Sequence, residues 1–143
     1  MNNPGVYDLG SRVITGAMSG EVITDVSGVE YVGNLEGMLG ANVEIRFIYG
    51  AGGTSGKVYI QTSLDQGDTW VDVICMTFTI TSVTKVFNLS GLTPKTTGAT
   101  PSDGALADDT SLDGVLGDRF RTKVSTIGTY SGNTEIVTRL VAR

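Results

Sequence analysis

The sequence predicts an all-β protein, a single antiparallel β-sandwich of jelly-roll type, with an immunoglobulin-like sandwich as the alternative. Three observations carry that prediction. Short runs rich in β-branched and aromatic residues recur along the chain. Turn-forming residues separate them at close intervals, with 20 glycines in 143 residues. Good helix formers are scarce in every window. With 40% hydrophobic and 17% charged residues the composition suits a compact fold, and the length suits one domain with a real core, so residues 1–143 are read as one unit.

Taken in order, residues 1–20 contain Pro4 and glycines around two sticky stretches, Val6-Tyr7 and Arg12-Val13-Ile14-Thr15. They read as a possible N-terminal arm lying on the body or on a neighbouring subunit, or equally as a first edge strand. Glu21 to Asp25 is a short strand, Val26-Ser27-Gly28 a turn and Glu30-Tyr31-Val32 a further short strand. Asn42 to Tyr49 alternates most cleanly, with Val43, Ile45, Phe47 and Tyr49 on one face and Glu44 and Arg46 on the other, as a half-buried strand requires. The glycine-rich stretch 50–56 reads as a hairpin linker, since no Gly-Lys-Ser/Thr ending leads into a helix there.

A hairpin follows, Val58 to Thr62 and Val71 to Cys75, with the second strand running on to Ile80. Val83 to Leu89 alternates again, and Asp118 to Ser125 and Thr134 to Ala142 close the chain as two strands. Between them lies a connection over residues 90–117, roughly 28 residues where 4 to 6 are usual. Such a loop is functional, held by a partner or partly disordered, and 105–116 has room for a helical turn. Its Asp103, Asp108, Asp109 and Asp113 do not have the spacing of an EF-hand and read as solvated charge rather than a calcium site.

Composition excludes much chemistry. Histidine is absent and Cys75 is the single cysteine, so an internal disulfide, a Cys/His zinc site and imidazole-based catalysis all fall away. Cys75 sits in an apolar strand and reads as a buried small hydrophobe. No run of about 18 apolar residues offers a membrane span, and Met1-Asn2-Asn3-Pro4-Gly5 has no secretory pattern, so an intracellular product is expected. The formal charge of −5 is polarised: residues 1–118 carry five basic and fourteen acidic side chains, net −9, and 119–143 carry five basic and one acidic, net +4. General nucleic-acid binding is not expected from that balance, whereas contact between complementary surfaces is. Arg119, Arg121 and Lys123 share one strand face. With Arg139 they are the candidate interface, and charge reversal at Arg119 and Arg121 is expected to spare the fold and weaken assembly.

The turn Ser63-Leu64-Asp65-Gln66-Gly67-Asp68-Thr69-Trp70 resembles the Asp-box at all five defining positions, Ser63, Asp65, Gly67, Thr69 and Trp70. Asp65 can accept backbone N–H groups further along the turn, Gly67 can take positive φ, and Trp70 can cover the turn. Asp65→Ala is therefore expected to destabilise the hairpin. Asp-boxes recur as repeats in sialidase propellers, but one box in 143 residues cannot make several blades. Glycoside hydrolysis needs two carboxylates. Asp65, Asp68 and Asp72 lie close together, yet Asp65 belongs to the turn and Asp72 to the strand, so no enzyme is expected.

The segment 58–73, the Thr/Val-rich strands after it and Thr100-Pro101-Ser102-Asp103-Gly104-Ala105-Leu106-Ala107-Asp108 resemble small structural proteins of tailed bacteriophages. The pattern, over residues 40–142, is most similar to jelly-roll cement or decoration proteins. That resemblance implies a virion protein made in the host cytoplasm, a dimer or trimer that bridges subunits of the major capsid protein on the capsid surface. It implies no cofactor, no nucleic acid and no membrane. The competing expectation is a tail or baseplate domain or a carbohydrate-binding sandwich, for which Tyr49, Tyr59, Trp70 and Tyr130 would be the aromatic candidates.

Overall fold

The computed structural model describes residues 4–25 and 27–143. Along them run β1 (Gly5–Val13), β2 (Glu21–Ile23), β3 (Gly40–Ile48), β4 (Ala51–Gly52), β5 (Ser55–Ser63), β6 (Val71–Phe78), β7 (Val83–Ser90), β8 (Thr110–Ser111), β9 (Arg119–Ile127), β10 (Tyr130–Ser131) and β11 (Glu135–Ala142), with no helix among the described residues. One sheet has the order β1-β11-β3-β7 and the other β2-β9-β5-β6-β8, while β4 and β10 form a small ribbon.

The pairing defines a jelly roll. β1 pairs with β11, β2 with β9, β3 with β7 and β5 with β6, all antiparallel. These are nested pairs, from the chain ends inward to the Asp-box hairpin, so the chain is one long antiparallel ribbon rolled up with alternate segments in alternate sheets. Lateral pairing of β11 with β3 and of β5 with β9 closes each sheet.

Alternation decides which side chains fill the space between the sheets. On β3 the alternate positions Val43, Ile45 and Phe47 are buried, on β11 Ile136 and Leu140, on β5 Val58 and Ile60, and on β9 Phe120 and Val124. Phe47 stacks on Phe78 with centroids 4.1 Å apart and meets Tyr130 edge-on at 5.8 Å. Two glycines make that aromatic cluster possible. A Cβ on Gly56 would lie 2.2 Å from the Phe78 ring, and one on Gly53 2.4 Å from Tyr130, so the rings rest directly on backbone. The glycine-rich stretch 50–56 is thus shaped by packing as well as by its turn.

The structure corrects several sequence expectations. Of the two readings of residues 1–20, an arm or a first edge strand, residues 5–13 follow the second: they pair along their length with β11 as an edge strand of the same sandwich, and residues 1–3 lie outside the described residues. The turn at 26–28 includes Val26, also outside them. Glu30–Val32 contributes only a single bridge, Val32 to Phe120. The strand expected to reach Ile80 ends at Phe78. No helical turn forms over 105–116, because Thr110 and Ser111 pair with Cys75 and Ile74 at the edge of β6.

Candidate functional site

The turn between β5 and β6 is knitted by its own side chains. The Ser63 hydroxyl donates to Asp65 Oδ1 at 2.9 Å and accepts the Gly67 N–H at 2.7 Å. Asp65 Oδ1 accepts the Thr69 N–H at 2.8 Å, and its Oδ2 accepts the Thr69 hydroxyl. Those Thr69 hydrogen bonds, the hydroxyl first, hold the Asp65 carboxyl below its ordinary range. Asp65 is exposed, so the groups it satisfies can also reach water. Gln66 (φ 62°) and Gly67 (φ 92°) both take left-handed conformations. Arg119 on β9 donates to the Gln66 carbonyl at 2.7 Å, and the Arg121 guanidinium lies 4.3 Å above the Trp70 ring. The turn is fastened to the neighbouring strand through the residues expected to form a free interface.

Strand register places Gln61, Asp72 and Arg121 in one row across β6-β5-β9, with Tyr59, Cys75 and Lys123 in the next, all facing away from the core. A bulge at Val73, where Ile60 faces Ile74 and Gln61 faces Asp72, brings the carboxylate into that row. The connection 91–117 folds back over this face, and Asp72 is what it closes on. Asp72 is 0% exposed. Its carboxylate accepts from Gln61 Nε2 (2.8 Å), the Ser102 hydroxyl (3.0 Å) and the backbone N–H groups of Gly104 (2.8 Å), Ala105 (2.9 Å) and Leu106 (3.2 Å). A buried carboxylate is tolerated only when its oxygens are satisfied in this way.

Each loop carboxylate then has a partner on the body. Asp103 accepts from Gln61 at 2.6 Å and Lys123 at 2.7 Å; Asp108 pairs with Lys57 at 2.6 Å. Asp109 accepts from Thr77 and from Lys85 at 2.7 Å, and Asp113 from the Ser90 N–H at 2.7 Å and the Thr93 hydroxyl at 2.9 Å. Read as solvated charge in the sequence, these groups are the fasteners of the loop. Among the described residues no group of acidic or sulfur side chains is placed to hold a metal ion.

These contacts give the loop a pH dependence. Burial pushes the Asp103 and Asp109 carboxyls up, but hydrogen bonds from Lys123 and Gln61, and from Lys85 and Thr77, outweigh it and leave both lowered. The Ser90 N–H chiefly lowers Asp113. A depressed carboxyl contributes stability that is present above its unfolded pKa and lost as pH falls through the folded value. Loop anchoring is therefore expected to be constant at neutral pH and to weaken as pH drops below the ordinary aspartate value of 3.8. Hydrogen exchange across residues 91–117, compared at pH 6 and at low pH with the intrinsic rate corrected, should show protection falling in the acid sample.

The candidate interface does not form one surface. Arg121 donates to Gln61 Oε1 at 2.8 Å besides covering Trp70, Lys123 is tied to Asp103, and Arg119 contacts Asp118 and Tyr31 as well as the turn. Charge reversal at Arg119 or Arg121 would disrupt these internal contacts, so a stability cost is expected beside any effect on assembly. Two ion pairs, Arg119 with Asp118 and Lys123 with Asp103, join the acidic and basic parts of the chain inside the molecule. Arg139 lies on the other sheet, in register with Asp8 on one side and Glu44 on the other. Of the aromatic candidates, Tyr59 and Tyr130 are buried, and Tyr49 is half-buried with its hydroxyl on the Gly52 carbonyl at 3.0 Å.

No loop is fastened over the outer face of β1-β11-β3-β7 among the described contacts. Two of its rows run Val6, Val141, Asn42, Asn88 and Asp8, Arg139, Glu44, Val86. Val86 is 68% exposed and Val6 66%. Aliphatic side chains and both signs of charge are interspersed on this face, and every outward position of its strands among the described residues is non-aromatic. Open grooves are lined by loop and strand residues at several places among the described residues, and two are of interest. One of about 420 Å³ lies beside the Asp-box turn at Leu35, Met38, Leu64 and Leu116, and one of about 390 Å³ at Tyr7, Asp8, Asp25, Tyr31 and Asn34.

The residues that sequence reasoning missed are Asp72 with Gln61, and Tyr31. The first pair carried a signal: two polar residues facing each other in otherwise apolar strands. Tyr31 carried none, since its surroundings depend on Arg119 and Trp70 from distant segments.

No family model and no curated protein matches the chain. A solved structure described as "CBM4 structure and function" is similar over 96% of this chain and 85% of its own, at 12% identity and a TM-score of 0.43.

Proposed function

We propose that this jelly roll is a structural virion protein, a cement or decoration protein that binds the outside of a capsid and bridges neighbouring major capsid protein subunits. The observation that carries the proposal is the difference between the two sheet faces. One is covered by the chain's own loop; the other presents exposed valines interspersed with Asp8, Arg139 and Glu44. Protein interfaces combine an apolar centre with charges that fix register, and such a surface offers both. The fastened loop supports the proposal too, because a bridge under load needs a stiff body. As a small homo-oligomer the protein would present this face more than once, so that weak contacts add through avidity.

A tail or baseplate domain, or a carbohydrate-binding sandwich using a sheet face, would place aromatic side chains where this sheet has aliphatic and charged ones. The test is binding to expanded, emptied capsids built from the major capsid protein of the same virus. Light scattering should give a dimer or trimer, and the protein should co-sediment with capsids at a saturating, lattice-defined ratio. Absence of co-sedimentation with those capsids would overturn the proposal.

A further inference from the structure

We infer that the groove beside Tyr31 is a binding site for a neutral saccharide. This goes beyond the capsid proposal and does not depend on it. The groove, about 390 Å³, is within the size of small-ligand sites, commonly some 300 to 1,000 Å³. Tyr31 borders it and is 41% exposed, yet the ring is not loose. The Arg119 guanidinium lies 5.2 Å over it, Trp70 packs against it at 6.0 Å, and a Cβ on Gly33 would come within 3.0 Å of its edge. An aromatic ring packed on Arg119 and Trp70 and partly exposed where it lines the groove offers a platform for the apolar C–H face of a sugar, with little ordering cost left for binding.

The polar groups round the groove supply the other half of that chemistry. Asp8 accepts the Gly10 N–H through Oδ1 at 3.0 Å, and Asp25 accepts the Ser27 and Val29 N–H groups through Oδ1 at 2.8 and 2.9 Å. Each carboxylate is thereby oriented by backbone, and the described contacts leave its Oδ2 to accept from a ligand. Asn34, held at φ 57°, adds an amide that both donates and accepts. Acceptor-rich groups beside a fixed ring match a ligand that carries hydroxyl donors and a hydrophobic face. Two carboxylates disfavour an acidic sugar, so the ligand class is neutral.

Trp70, the chain's single tryptophan, touches the platform and provides the readout. The experiment is affinity electrophoresis through gels containing barley β-glucan, dextran, galactomannan or polygalacturonate, with Trp70 fluorescence followed as oligosaccharides of the retarding polymer are added. Retardation by at least one neutral polymer is expected, with a saturable fluorescence change and no retardation by polygalacturonate. Tyr31→Ala should weaken binding at least tenfold. Because that change also loosens packing on Trp70, Val29→Arg is the second variant: its exposed side chain stands at the groove and should block it while circular dichroism stays unchanged. Retardation by none of the neutral polymers, by polygalacturonate alone, or to the same extent in both variants as in the parent would overturn the assignment.

Discussion

Asp72→Ala is expected to lower stability by about 3 to 5 kcal/mol, because each buried donor left without an acceptor costs about 1 to 3 kcal/mol. The buried carboxylate accepts from one side-chain amide, one hydroxyl and three successive backbone N–H groups, so alanine leaves the hydroxyl and the three N–H groups without this acceptor, while Gln61 keeps its bond to Asp103. Water can reach part of the loop once it lifts, which keeps the cost from being the sum of the individual bonds. Asp72→Asn should also destabilise, since an amide NH2 would face N–H donors. For a chain of this length the loss corresponds to a melting temperature lower by roughly 10 °C or more. The same variants should expose Leu106 to thermolysin, because its N–H is held by Asp72. An unchanged urea midpoint together with an uncut loop would show that Asp72 does not anchor residues 91–117.

The second large effect is expected at Phe47. This side chain is 0% exposed and joins the sheets through its stack on Phe78 and its edge contact with Tyr130, whose hydroxyl donates to the Thr79 carbonyl at 2.7 Å. Phe47→Ala should cost about 3 to 5 kcal/mol, from lost transfer energy and from a cavity that rings resting on Gly53 and Gly56 backbone cannot easily fill. Phe47→Leu should retain most of the stability. A loss below about 1 kcal/mol for the alanine variant in urea unfolding would mean that the aromatic cluster is not the centre of the core.

How much of this was legible depends on whether the cause is local. Alternation on β3 placed Val43, Ile45 and Phe47 on the buried face, because a period of two in a strand is a property of neighbouring residues. The fold class and the Asp-box hairpin were legible for the same reason. Pairing of β1 with β11 was not: it joins the two ends of the chain, and nothing in Val6-Tyr7 distinguishes a docked edge strand from an arm. Alternation put Arg119, Arg121 and Lys123 on one face of β9 but could not say what covers it. The covering depends on Asp72 meeting Gly104, 32 positions away, and on Asp103 meeting Lys123. Regular spacing therefore assigned faces, while the distinction between a sealed face and an open one came from contacts between segments far apart in the chain.

The central claim is that the two faces have different work, the sealed one structural and the open one adhesive. Co-sedimentation with expanded capsids tests it directly when two variants are compared with the parent. Val86→Lys combined with Arg139→Ser alters the open face, and Leu92→Asp alters an exposed position, 71% accessible, on the covering loop. With melting temperatures matched, the open-face double variant should bind at least a hundredfold more weakly and the loop variant as tightly as the parent. Undiminished binding by the double variant, or loss of binding by Leu92→Asp alone, would contradict the account.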